Sequence, residues 1–221
     1  MTHMNRLIME SQHRAKSLLK PLVFADVDKP RRIKAGPGRG VVAILNRRRD
    51  VQRELGMYET ELTRSYRKYV RPGTLVFDVG AADGLTALTY ARLGASVIAF
   101  EPDPKVVGRF RRNLDLNPLL AARITLVTDQ YESNTAGDYA APDFVKIDVD
   151  GGEADVVRAL PGRPPCVVVE THSHSLESDC TALLESRGYR VRVIPNARWR
   201  TLFPEYRPIE HNRWLLALVI A

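Results

Sequence analysis

The chain has 221 residues, 44% of them hydrophobic and 27% charged, which suffices for one core-forming domain with at most a small appendage. No apolar run reaches about 18 residues, which excludes a membrane-spanning helix, and no apolar segment of roughly 7–15 residues opens the chain, so a cytoplasmic protein is expected. The net charge of +7 is uneven, since residues 1–72 hold 17 Lys and Arg against 7 Asp and Glu while residues 73–221 hold 16 against 19.

Such a basic first third suits a nucleic acid, an anionic surface or a phosphorylated substrate, and equally a solvated helical face. In chain order, Leu7, Ile8, Ala15, Leu18 and Leu19 recur at helical spacing, and Pro21 ends the pattern. This predicts an amphipathic helix over Met4–Lys20, a docking element for the main domain or for a second copy in a homodimer. Arg31–Asn46 reads as a hairpin turning at Gly36-Pro37-Gly38-Arg39-Gly40, which lacks the Gly-Lys-Ser/Thr ending of a phosphate loop. Thr60 is placed to cap a helix running to about Val70. Strands are expected near 74–79, 96–100, 124–127, 143–148 and 165–170, with helices near 84–92, 104–115, 152–159 and 176–187. That alternation implies a doubly wound, Rossmann-like α/β fold. Two further strands, Tyr189–Ile194 and Trp214–Ile220, complete a seven-stranded, mostly parallel sheet with an antiparallel terminal strand. The loop between them carries Trp199, Phe203 and Tyr206 and is a candidate lid. Residues 1–55 read as an N-terminal extension and 56–221 as the main domain. Cys166 and Cys180 read as reduced structural thiols.

The most informative stretch is Val76-Phe77-Asp78-Val79-Gly80-Ala81-Ala82-Asp83-Gly84, followed 17 residues later by Glu101. A strand enters a glycine turn, a helix follows, and the next strand ends in a carboxylate that can accept two hydrogen bonds from a ribose diol. A dinucleotide fold would carry Gly-x-Gly-x-x-Gly here, whereas this turn has Ala82 at the middle position and Asp78 and Asp83 around it. Two carboxylates repel a pyrophosphate and suit a donor with a positive end, such as the ammonium and sulfonium of S-adenosylmethionine.

Val76–Gly84, Ala99-Phe100-Glu101-Pro102-Asp103-Pro104, Asp143–Glu153 and Gly56-Met57-Tyr58-Glu59-Thr60-Glu61-Leu62 resemble the FkbM family of S-adenosylmethionine-dependent methyltransferases. The resemblance runs over about residues 56–190, with Ala82 where the family usually has Asn and Asp150 where it usually has Glu. It implies a donor site built from Tyr58, Asp78, Gly80, Ala82, Asp83, Gly84, Glu101, Pro102, Asp103, Asp129 and Asp148. It also implies oxygen methylation of a sugar, glycolipid or secondary metabolite.

Acceptor-side candidates follow the fourth and fifth core strands: Asp148, Asp150 and Glu153, then Glu170, His172 and His174. His172 is the candidate general base, because an imidazole titrates near neutrality. Asp148 and Glu170 stand beside it as catalytic candidates. Asp148, Glu170 and His172 also make an oxygen-and-nitrogen ligand set, but no tighter ligand spacing is present, so a divalent metal stands only as the less favoured alternative. Glu153 could serve only the dipole of its own helix. The fourth strand is followed by Asp-Val-Asp-Gly rather than Asn/Asp-Pro-Pro-Tyr/Phe, which disfavours an exocyclic amine as acceptor. The rival readings are a nucleic-acid methyltransferase gripping phosphates with its basic third, and a donor-binding partner subunit without turnover. A nicotinamide dehydrogenase is the most distant, because the glycine spacing is wrong.

Overall fold

A computed structural model describes residues 25–197 and 212–220. The helix expected over Met4–Lys20, with its docking or dimer role, and the lid residues Trp199, Phe203 and Tyr206 lie outside the described residues.

Strands β1 (Asp28–Arg32) and β2 (Val42–Asn46) form the expected antiparallel hairpin. Helix α1 (Arg47–Leu55) follows directly, capped by the Asn46 side chain, which accepts from the Arg48 N–H. A 3-10 turn (Thr60–Leu62) leads into α2 (Thr63–Tyr69). Thr60 does not occupy the cap. Glu59 stands there in the left-handed region at φ 48°, and no side chain caps the turn.

The alternating region then gives β3 (Leu75–Val79), α3 (Leu85–Arg92), β4 (Ser96–Phe100), α4 (Pro104–Asp115), α5 (Pro118–Ala121) and β5 (Ile124–Val127). It continues with α6 (Ser133–Gly137), β6 (Phe144–Ile147), α7 (Glu153–Arg158), β7 (Cys166–Thr171), α8 (His174–Ser186), β8 (Tyr189–Ile194) and β9 (Arg213–Val219). The seven-stranded sheet has the order β5-β4-β3-β6-β7-β9-β8. Strands β3 to β7 are mutually parallel, and β9 runs antiparallel to both β7 and β8. The antiparallel strand therefore sits one place in from the edge, with β8 outside it.

The central strands are apolar on both faces because helices cover both. Phe77, Phe100, Val145 and Val169 pack on one side, and Val76, Val97, Phe144 and Val168 on the other with Tyr66, Tyr90 and Trp214. Strand order reverses between β3 and β6, which opens a crevice at their C-terminal ends. Among the described residues no helix is long and apolar enough to cross a membrane. Cys166 and Cys180 are free and buried, and burial pushes both thiols up to about 12.

The hairpin is not a free appendage. Ile33, Val41, Ala43 and Leu45 share a core with Leu85 and Leu88 of α3. Asn113 of α4 and Asn117, just before α5, accept from the N–H groups of Ile44 and Val42 at 2.8 and 3.0 Å, so side chains satisfy the open edge of β2.

Candidate active site

Most residues of the crevice follow the end of a strand. At the end of β3, Gly80 has φ 79°, and a Cβ there would lie 1.9 Å from the Asp148 carbonyl oxygen. Glycine is required for β3 and β6 to close together at this point. Gly84, also at φ 79°, opens α3, and a Cβ there would strike the Phe110 ring at 2.1 Å. Between them Ala82 is left-handed at φ 49°, a conformation that costs a non-glycine residue about 1–2 kcal/mol. Its N–H donates to Glu101 Oε2 at 2.9 Å.

Glu101 is buried directly after β4, and its other oxygen accepts from the Asp103 N–H at 2.9 Å. Two backbone donors thus hold the carboxylate rigid beside the glycine turn. Pro102 is exposed. Asp103 caps α4 by accepting from the Lys105 N–H, and Asp129 lies exposed past β5. Asp83 is ion-paired with Arg53 of α1, so its charge is matched within the chain. Tyr58 is half-buried under the Arg53 guanidinium, which lies 5.3 Å from its ring centre. Burial pushes the Tyr58 hydroxyl well above its usual range.

Behind the turn lies a buried polar cluster. Asp78 is fully buried, and neither of its oxygens has a hydrogen-bond partner. Lys146, in mid-β6, is 2% exposed and bonds Asp148 Oδ2 at 2.9 Å, with Glu59 Oε1 at 3.7 Å and the Trp214 ring 5.4 Å from its Nζ. The Tyr66 hydroxyl donates to Glu59 at 2.7 Å. Burial opposes the charge on Lys146, and Asp148, Glu59 and Asp78 more than restore it, so the ammonium is held. Burial likewise opposes the Asp148 carboxylate, and Lys146 holds it ionised, below the usual range. Burial drives Asp78 the other way, up to about 7.

The acceptor-side candidates converge. His172 Nε2 lies 3.8 Å from Asp148, 3.5 Å from Asp150 and 3.9 Å from Glu170. Its Nδ1 is bonded to Glu153. That contact raises the imidazole pKa above its usual value; burial opposes it, and the surrounding carboxylates add to it. Glu153 is fully buried and orients the ring, a role beyond the helix dipole. Asp150 is solvent-exposed, and His174 is exposed at the start of α8. Sequence reasoning missed Glu59 and Lys146 as members of the site. The one available signal was a lysine within the otherwise apolar run Phe144-Val145-Lys146-Ile147.

The sheet order and its single antiparallel strand define the fold shared by class I methyltransferases. No family model matches the chain. The 23S rRNA (uracil(1939)-C(5))-methyltransferase RlmD of Acidithiobacillus ferrooxidans is 30% identical over 127 residues, 56% of this chain and 29% of that protein. The ribosomal protein L11 methyltransferase of Geobacillus kaustophilus is 49% identical over 51 residues, 23% of this chain and 16% of that protein. The chain thus spans less than a third of either relative. Among solved structures, a precorrin-6y C5,15-methyltransferase from Geobacter metallireducens aligns with TM-score 0.55 at 20% identity, covering 73% of this chain and 90% of that one. A SAM-dependent O-methyltransferase from Thermotoga maritima aligns with TM-score 0.57 at 16% identity, covering 74% and 66%. Aeropyrum pernix fibrillarin, solved with natively bound S-adenosyl-L-methionine, aligns with TM-score 0.52 at 14% identity, covering 68% of each chain.

Proposed function

We propose that the chain is an FkbM-like methyltransferase that moves the methyl group of S-adenosylmethionine to a hydroxyl of a small molecule, sugar or secondary metabolite. The observation that carries this reading is Glu101, a buried carboxylate fixed by two backbone N–H groups beside the Gly80–Gly84 turn. A ribose diol would bond its remaining lone pairs. Asp78 behind the turn offers negative charge to the methionine end of the donor. Both relatives and the Thermotoga maritima neighbour are described as methyltransferases, and the fibrillarin neighbour was solved with this donor bound, which supports the reading.

Asp148, Glu170 and His172 would face the acceptor. In the transfer, the hydroxyl oxygen forms a bond to the methyl carbon as the carbon–sulfur bond breaks. Sulfur keeps that electron pair, and the hydroxyl proton leaves to a basic group of the crevice.

A second reading, RNA methylation, draws on the RlmD match and on a basic groove at the hairpin. Arg31, Arg32, Lys34, Arg39 and Arg92 line that groove against the single acid Glu54.

Donor labelled in its methyl group, offered with sugar and phenol hydroxyls and with an rRNA fragment, separates the readings. Label in a stable ether is expected, and label in the RNA would overturn the first reading. His172→Ala is expected to keep donor binding and lose about a hundredfold or more in turnover. Undiminished turnover would remove His172 from the reacting groups.

A further inference from the structure

The acceptor-side cluster carries more negative charge than its described cations balance. We propose that Asp148, Glu170 and His172 form a binding site for one divalent first-row metal cation at the mouth of the crevice. Sequence spacing gave no reason to expect a metal. The site is assembled by two strand ends, β6 and β7, that adjoin in the sheet, and its Asp148 and Glu170 lie 22 residues apart in the chain.

One donor atom from each of the three residues lies within 4.8 Å of the other two. His172 Nε2 is 3.8 Å from Asp148 Oδ1 and 3.9 Å from Glu170 Oε2. An ion with bonds of about 2.2 Å places its ligands about 3.1–4.4 Å apart, from neighbouring to opposite positions. Both separations fall inside that range.

The independent observation is the state of His172. Its side chain is 8% exposed, and Nε2 has no hydrogen-bond partner. The Glu153 carboxylate at Nδ1 requires a proton on that nitrogen. Nε2 therefore faces three carboxylates, an arrangement that needs positive charge at that atom, supplied by a second ring proton that a bound cation would displace. A carboxylate behind the far nitrogen is also how proteins orient and strengthen a metal-binding imidazole. One imidazole with two carboxylates suits manganese, iron or zinc better than calcium, which takes oxygen alone. The second oxygen of Asp148 is not needed, because Lys146 occupies Oδ2 and leaves Oδ1 facing His172.

Use of the ion to polarise an acceptor hydroxyl rests on the proposed function, but its binding does not. The test is calorimetric titration of the full chain with Mn²⁺, paired with pulsed EPR of the bound ion. One ion per chain is expected, with nitrogen coupling from the imidazole. His172→Gln should remove the coupling and weaken binding at least tenfold, and Glu170→Gln should weaken it similarly. Glu153→Gln, which leaves all three ligands in place, should weaken it about tenfold. Circular dichroism confirms that each variant is folded. No stoichiometric binding, or binding equal in the folded His172 and Glu170 variants, would overturn the proposal. S-adenosylhomocysteine titrated into the same samples separates the two ideas. Nucleoside binding without the ion sinks only the metal site, and the ion without nucleoside binding sinks only the methyl-transfer reading.

Discussion

Asp78 is a carboxylate placed in an apolar sheet with no hydrogen bond to either oxygen. Burial raises its pKa to about 7, against the pull of Lys146 and with help from Glu59, Asp148 and Glu101. The folded chain therefore keeps a proton that the unfolded chain releases above pH 4. Stability falls as pH rises from about 4 to about 7 and is level above that, with a total cost on the order of 4 kcal/mol. Thermal unfolding of Asp78→Asn should show that slope flattened between pH 5 and 8 and a higher Tm at pH 8. An unchanged slope would mean that the Asp78 charge is already matched. The same charge is what a cationic donor would relieve. Glu101 and Gly80 were legible as site residues because a glycine turn and a strand-end acid are local patterns. Glu59, Lys146 and the orienting role of Glu153 were not, because their partners come from other elements.

The elements that sequence pattern missed share one physical character. Helix α1 begins Arg47-Arg48-Arg49 and has no apolar stripe. It is held instead by the Asn46 cap and by Glu54, which accepts from Arg47 Nε and Nη2 at 2.8 and 2.9 Å and pairs with Lys34 at 3.4 Å. Helices α5 and α6 are too short to carry a period. The sheet was legible because its strands are continuous apolar runs between glycine and proline breaks. The bond between hairpin and domain was not, since it depends on two asparagines. Asn113 is fully buried, accepts from Ile44 N–H and donates to the Asp83 carbonyl at 2.8 Å. Asn113→Ala leaves both groups unpaired and should cost about 2–3 kcal/mol by urea unfolding. A loss under about 0.5 kcal/mol would show that the hairpin docks through its apolar face alone.

Across the whole molecule, the basic first third and the acidic remainder are parts of one packed body in the described residues. Arg53 of the first third pairs with Asp83 of the remainder, so some of the asymmetry is spent internally. Arg31, Arg32, Lys34 and Arg39 of the first third, with Arg92, line the groove beside the hairpin. If that groove only keeps the surface solvated, RNA affinity should be weak, with a shallow dependence on salt. A steep fall in RNA binding between 50 and 200 mM salt, of about a thousandfold or more, would favour the RNA reading.

In the proposed function, the crevice at the ends of β3 and β4 holds S-adenosylmethionine, with Glu101 on its ribose. Calorimetric titration with S-adenosylhomocysteine, and with NAD as the control, tests it on the native chain and on Glu101→Ala. The account predicts micromolar binding of S-adenosylhomocysteine, none of NAD, and a loss of about a hundredfold or more in the variant. A folded native chain that binds no S-adenosylhomocysteine, or a variant that binds it equally well, would contradict the account.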